Sequence, residues 1–152
     1  MYGDPVEITE INVNSVNFSR YDFLAIDLKK SGLICLDVEG HPNSVENFYK
    51  LLERKRIDRP LLFIERSMNN GLHIYFRNDL NIIKSHWNKL GNIHYDILTK
   101  RAFTSPSSFN NKVYEWIHND FNNIKSKDDI PKIPTFMIEF LENKEKYFKS
   151  KI

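Results

Sequence analysis

The stretch LICLDV, residues 33–38, is an apolar run too short for a helix and well suited to a buried strand, and it ends on an acidic residue. Glu39 stands two places after Asp37, and Gly40 and Pro42 then break the run. Alternate residues of a strand share a face, so Asp37 and Glu39 project together from the end of a core strand. Carboxylates in that position lose hydration and need something cationic to meet them, unless they are a solvated strand end.

The flanking pattern supplies the frame. Asn43 can cap a helix, with Glu46 at the third helical position in a capping-box arrangement, and Val45, Phe48, Tyr49 and Leu52 then keep to one helix face. Pro60 ends the connection, and LLFIE, 61–65, reads as a second strand. A strand, a helix and a strand of this length predict a right-handed crossover between parallel strands. SMNNG, 67–71, is turn chemistry, and LHIYF, 72–76, is a third strand, so 61–76 reads as a hairpin. The spacing of Leu80, Ile83 and Trp87 predicts a helix over 79–91, ended by Gly91. IHYDIL, 93–98, and AFTS, 102–105, read as further strands. Beyond Pro106 the stripe Val113, Trp116 and Ile117 predicts helix, and Pro134 starts a last helix whose Met137, Phe140 and Leu141 face inward. Residues 1–30 carry weaker signals: EITEINV alternates like a short strand, and SRYDFLAIDLKKSG reads as a short helix or irregular stretch ending at Gly32. The sum is an α+β domain, a mixed or mostly antiparallel sheet with packed helices.

The totals narrow the function. At 152 residues the chain reads as one domain, 1–152, with enough apolar residues (41%) for a real core. A net charge of +2 excludes a protein that coats nucleic acid by charge alone, although the tail from Glu142 holds four lysines against two glutamates. The single cysteine, Cys35, excludes an internal disulfide and a cysteine-built zinc site, and reads as a small buried residue in a reducing compartment. With no signal segment and no apolar stretch long enough to span a membrane, the expectation is a soluble intracellular chain, neither secreted nor membrane-bound. The abundance of Asn, Lys and Ile fits an AT-rich genome such as that of a virus or mobile element.

Four polar residues stand out on the apolar strands: Asp37, Glu39, His73 and Asp96. A lone D-x-E pair is more often a solvated strand end, and a lone histidine in a strand is more often a core or surface residue. Here, all the elements fall on predicted strands, and two of them adjoin glycine-bearing turns. If the strands are neighbours, three carboxylates and one imidazole converge. Three hard oxygen donors suit Mg²⁺ or Mn²⁺ rather than zinc, and two such ions can bridge nucleotide phosphates. His73 then serves as a hydrogen-bond donor to a phosphate oxygen, helped by the turn's backbone N–H groups and the Ser67 hydroxyl.

SGLICLDVEG, then FIERSMNNGLHIYFR, then LGNIHYDILTKRAFTSPSS, together resemble the catalytic core of archaeo-eukaryotic primases, particularly the primase-polymerase branch of plasmids, phages and large DNA viruses. The resemblance covers about residues 31–141, and VYEWI and IPKIPTFMIEFL are similar to the segments that follow the motifs in that family. It matches the family's acidic motif to Asp37 and Glu39, its G-x-H hairpin strand to Gly71 and His73, and its third acid to Asp96, with Ser105, Pro106, Ser107 and Ser108 as the closing element. Two features depart from the pattern. The turn is Asn69-Asn70-Gly71 where the family often has Ser-Gly-Gly, and the stretch before Asp37 is short.

The resemblance implies an RRM-like primase catalytic core. It implies template-directed nucleotidyl transfer in DNA replication, making primers and extending DNA strands, with Asp37, Glu39 and Asp96 as catalytic residues holding two divalent ions. His73, Ser67, Asn69, Gly71 and Arg101 would bind the nucleotide, with Lys100 beside Arg101; an exposed turn is the other reading of that basic pair. The implied partners are a DNA template, nucleoside triphosphates and a helicase on another chain or segment, at the site of viral or plasmid replication or in the cytoplasm. Tyr75 and Phe76 offer stacking surface, although strand neighbours point oppositely and one of them must face the core. Two other classes stay open: a metal-dependent nuclease, for which FIERS places Glu65 and Arg66 adjacent rather than in an acidic-x-Lys spacing, and an inactive nucleic-acid-binding module with the same fold.

Overall fold

The computed structural model describes residues 24–141, apart from 41, 85, 106 and 110, so the strand expected over EITEINV and the lysine-rich tail lie outside the described residues. In chain order, β1 (Leu24–Asp27) leads into a single helical turn, α1 (Leu28–Ser31), and then β2 (Leu33–Val38). After α2 (Pro42–Arg54) come two hairpins, β3 (Phe63–Arg66) with β4 (Leu72–Arg77), and β5 (His86–Leu90) with β6 (Ile93–Leu98). There follow β7 (Arg101–Thr104), a short pair β8 (Ser108–Phe109) and β9 (Lys112–Val113), β10 (Glu115–His118), and a helix α3 over residues 135–141. The architecture is α+β. Among the described residues no helix is long and apolar enough to cross a membrane.

Six strands form the central sheet in the order β10-β3-β4-β2-β6-β5, each antiparallel to its neighbours. α2 carries the chain back so that β3 runs in the direction of β2. The expected parallel neighbours are nevertheless separated, because β4 pairs between them and makes a split βαβ unit. A second ribbon, β1 with β7, is a separate two-stranded sheet.

Two readings made from periodicity are corrected. The 79–91 segment is a loop followed by strand β5, not a helix. Asn78 binds Ile82 twice, its Oδ1 accepting from the Ile82 N–H at 2.9 Å and its Nδ2 donating to the Ile82 carbonyl at 2.7 Å, and this local pairing displaces helix bonds. Leu80 and Ile83, part of the supposed inward stripe, are 48% and 77% exposed. The 113–118 segment is likewise extended: β10 pairs with β3, and Ile117 faces outward. α2 begins at Pro42, one residue before the expected Asn43 cap. The last helix stands as expected, with Met137 and Phe140 fully buried.

The sheet is covered on both faces. α2 and α3 press Phe48, Leu52, Met137 and Phe140 onto Ile34, Leu36, Ile74 and Phe76. On the other face, β1, α1 and the 121–130 segment bring Ile26, Leu28, Phe121 and Ile130 against Cys35, Phe63 and Tyr75. α1 is closed at both ends: Asp27 accepts from the Lys30 N–H at 3.0 Å, and Gly32 takes a left-handed conformation, φ 69°.

Candidate active site

Alternation along each strand sends one set of residues to the helices and the other to the opposite face. On that second face the register lines up Trp116, Glu65, His73, Asp37 and Asp96, each directly opposite the next across five adjacent strands. Three residues that are remote in sequence, Asp37, His73 and Asp96, therefore fall in one row, with Asp37 at its centre. Glu39 continues the face beyond β2, and its N–H donates to the His94 carbonyl at 3.0 Å.

His73 is almost wholly enclosed, its side chain 5% exposed. Nε2 lies 3.5 Å from Asp37 Oδ1 and Nδ1 lies 3.4 Å from Glu65 Oε1. Nδ1 is also 3.0 Å from the Phe103 carbonyl oxygen. Burial alone pulls the imidazole pKa down, but hydrogen bonding to Asp37 and Glu65 and the charges of both carboxylates outweigh it and raise the value from 6.5 to about 9. Asp96 moves from 3.8 to about 6 because it is half-buried and because Asp37 and Glu39 repel its charge. The three carboxylates are thus close enough to feel one another. Among the described residues no three Asp, Glu, His or Cys side chains already stand as a closed ligand set.

A cleft of about 280 Å³ opens over this row, lined by Asp37 and Glu39 on one side, Ser67, Met68 and Asn69 on the other, and by His73 and Tyr114. The turn that forms its far wall is built tightly. The Ser67 hydroxyl accepts from the Gly71 N–H at 3.0 Å, and Asn70 takes a left-handed conformation, φ 62°. The turn packs backbone to backbone on the end of β2. A Cβ on Gly40 would stand 1.7 Å from the Asn69 carbonyl oxygen, and one on Gly71 would stand 2.4 Å from the Val38 carbonyl oxygen.

The expected site residues thus separate into groups. Asp37, Glu39, Ser67, Asn69 and His73 line one cleft, and Asp96 adjoins it through Asp37. Gly71 is buried behind the turn, where it permits the close approach to β2. Arg101 is exposed on β7 opposite Asp27 and is not among the cleft-lining residues. Tyr75 and Phe76 do not offer a stacking surface: both are fully buried, one under each covering layer. The serines after β7 act as braces. The Ser107 hydroxyl accepts from the Leu24 N–H at 2.7 Å and donates to the Leu24 carbonyl at 3.1 Å.

Two residues of the site escaped the sequence reading. Glu65 is completely buried beside His73, and the ring of Tyr114 lies 5.5 Å from that of His73. A signal for Glu65 existed, since a five-residue turn over 67–71 sets Glu65 opposite His73. Tyr114 had none, because its stretch carries a helix-like stripe.

The fold is α+β, and the row of Asp37, Asp96 and the buried His73 opens onto one cleft. The chain belongs to the bifunctional DNA primase/polymerase, N-terminal, family, whose model matches residues 14–135. At the level of that family the activity is nucleotidyl transfer of the primase/polymerase type. No curated protein and no solved structure matches the chain.

Proposed function

We propose that this domain joins nucleotides on a DNA template, making primers and extending strands, with the triphosphate of the incoming nucleotide seated in the cleft between His73 and the 67–71 turn. The observation that carries this reading is the register that sets Asp37 between His73 and Asp96. It puts a cation-binding group and an anion-binding group side by side, as transfer of a charged phosphoryl group demands.

The donor set fits a hard divalent ion. Asp37, Glu39 and Asp96 offer oxygen only, and the repulsion that raises Asp96 is relieved by a cation among them. Those three carboxylates would hold two Mg²⁺ or Mn²⁺ ions, which when bound supply charge neutralisation at the phosphates and activation of the attacking hydroxyl. His73 directs Nε2 to the cleft and donates from it to a phosphate oxygen. The 67–71 turn, held rigid by the Ser67–Gly71 bond, sets the opposite wall against which the phosphate chain is aligned. Contact with the template is chiefly to backbone phosphate and therefore weakens with salt.

Primer synthesis and primer extension with Mn²⁺ and with Mg²⁺, run beside the Asp37→Ala, Glu39→Ala double variant, test the reading. Dinucleotide or longer products from the native chain and none from the variant are expected. Strand cleavage without synthesis would replace it with a nuclease, and DNA binding without either activity would replace it with an inactive binding module.

A further inference from the structure

The geometry points to Glu65 as a positioning residue that fixes the ring of His73 through its Nδ1–H, so that the Nε2–H is presented to the triphosphate; this rests on the phosphate-binding reading of His73. Glu65 has no exposed surface, and an ionisable group so placed is costly unless its environment satisfies it. It is satisfied. Oε1 accepts from the Tyr75 hydroxyl at 2.8 Å, and Oε2 accepts from the Thr104 hydroxyl at 2.7 Å and from the Ser105 N–H.

Those partners explain what the carboxylate holds. Thr104 and Ser105 follow Phe103, whose carbonyl accepts from His73 Nδ1 at 3.0 Å. Glu65 thus grips His73 twice: directly, with Oε1 3.4 Å from Nδ1, and through the 103–105 strand that it ties down. Both grips engage Nδ1. A carbonyl can only accept, so Nδ1 carries a hydrogen and Nε2 is left facing Asp37 and the cleft. An apolar residue would have filled the position between Phe63 and Tyr75 without any of these bonds. The chain instead keeps a carboxylate at a point that reaches both His73 and the segment behind it.

Glu65→Gln, His73→Gln and the double variant in the full chain test this. Ring ¹⁵N spectra of His73 without nucleotide should show hydrogen on Nδ1 in the native protein and a mixed or altered pattern in Glu65→Gln. In Mn²⁺-dependent extension, Glu65→Gln should raise KM for the incoming dATP about tenfold or more while kcat moves far less, and the double variant should be no worse than His73→Gln alone. Tyr75→Phe and Thr104→Val, each of which removes one donor and keeps the carboxylate, carry the same readouts if Glu65→Gln does not fold. An unchanged Nδ1 signal in the variants, or effects that add fully to those of His73→Gln, overturns the proposal. A native chain that shows the Nδ1 pattern but synthesises nothing sinks the catalytic reading instead and leaves the positioning of His73 standing.

Discussion

On the helix-covered face of the central sheet, β2 contributes Ile34, Leu36 and Val38, and β4 contributes Leu72, Ile74 and Phe76. One residue along, the same strands send Asp37, His73 and Tyr75 to the other face. The first face is an apolar core whose cohesion comes from area removed from water. The second mixes an apolar pad, Cys35, Phe63 and Tyr75, with a polar row in which every charge is met by another group or by repulsion. The difference teaches that the strand period divides stability from chemistry within six residues. The helix-covered face is given over to burial, whereas the other face shares burial with a polar row whose members attract and repel one another.

The largest effect expected from that division is at its chemical centre. Asp37→Asn should lower nucleotidyl transfer by roughly 10²–10³-fold or more, and should move the thermal midpoint little, because the relief of its repulsion on Asp96 offsets the loss of its attraction for His73. Extension rates and melting curves on one preparation check both halves, and a variant that loses stability along with activity would break the division. On the opposite face, Phe76→Ala should cost about 3–5 kcal/mol in denaturant unfolding, with activity retained per folded molecule. An intermediate case sharpens the comparison where the faces meet. Gly40→Ala drives a Cβ into the Asn69 carbonyl, so the turn must shift, and KM for nucleotide should rise with a stability loss of about 1–3 kcal/mol.

The smallest expected effects are in pH. The folded pKa of Asp96, about 6, lies above its ordinary 3.8, so the folded state keeps a proton that the unfolded state has given up, and stability falls as pH rises across that interval. The folded pKa of His73, about 9, lies above 6.5, so its contribution is complete below 6.5 and lost as pH rises through about 9. Melting midpoints without divalent ions should therefore drop through both windows. Asp96→Asn should flatten the first and His73→Gln the second, and added Mn²⁺ should raise the native midpoint most where the carboxylates are ionised.

Much of the site was legible because it is written in short-range pattern. LICLDV and LHIYF are apolar runs with one polar residue each, IHYDIL sets His94 and Asp96 on alternate places of a third, and the turn chemistry of 67–71 fixes a hairpin. The helices were readable where an apolar stripe met an inner face, as at Phe48 and Leu52 or Met137 and Phe140. The stripe at Leu80, Ile83 and Trp87 carried the same spacing and became a loop and an edge strand, since its partner was β6 and not a helix-binding surface. The stripe at Val113, Trp116 and Ile117 failed in the same way against β3. Spacing alone does not say which neighbour will claim a segment.

What the sequence determined by itself is which residues alternate, where the chain turns, and that Asp37, His73 and Asp96 lie on strands with Glu39 just past the end of one, because periodicity and turn preference act over a few residues. Only the tertiary structure decided that β4 lies between β2 and β3, that Asp37 is flanked by His73 and Asp96, and that Glu65 stands behind the histidine. Those facts depend on which strands pair and in what register, and pairing is settled by burial of whole faces at once, a quantity no local window contains.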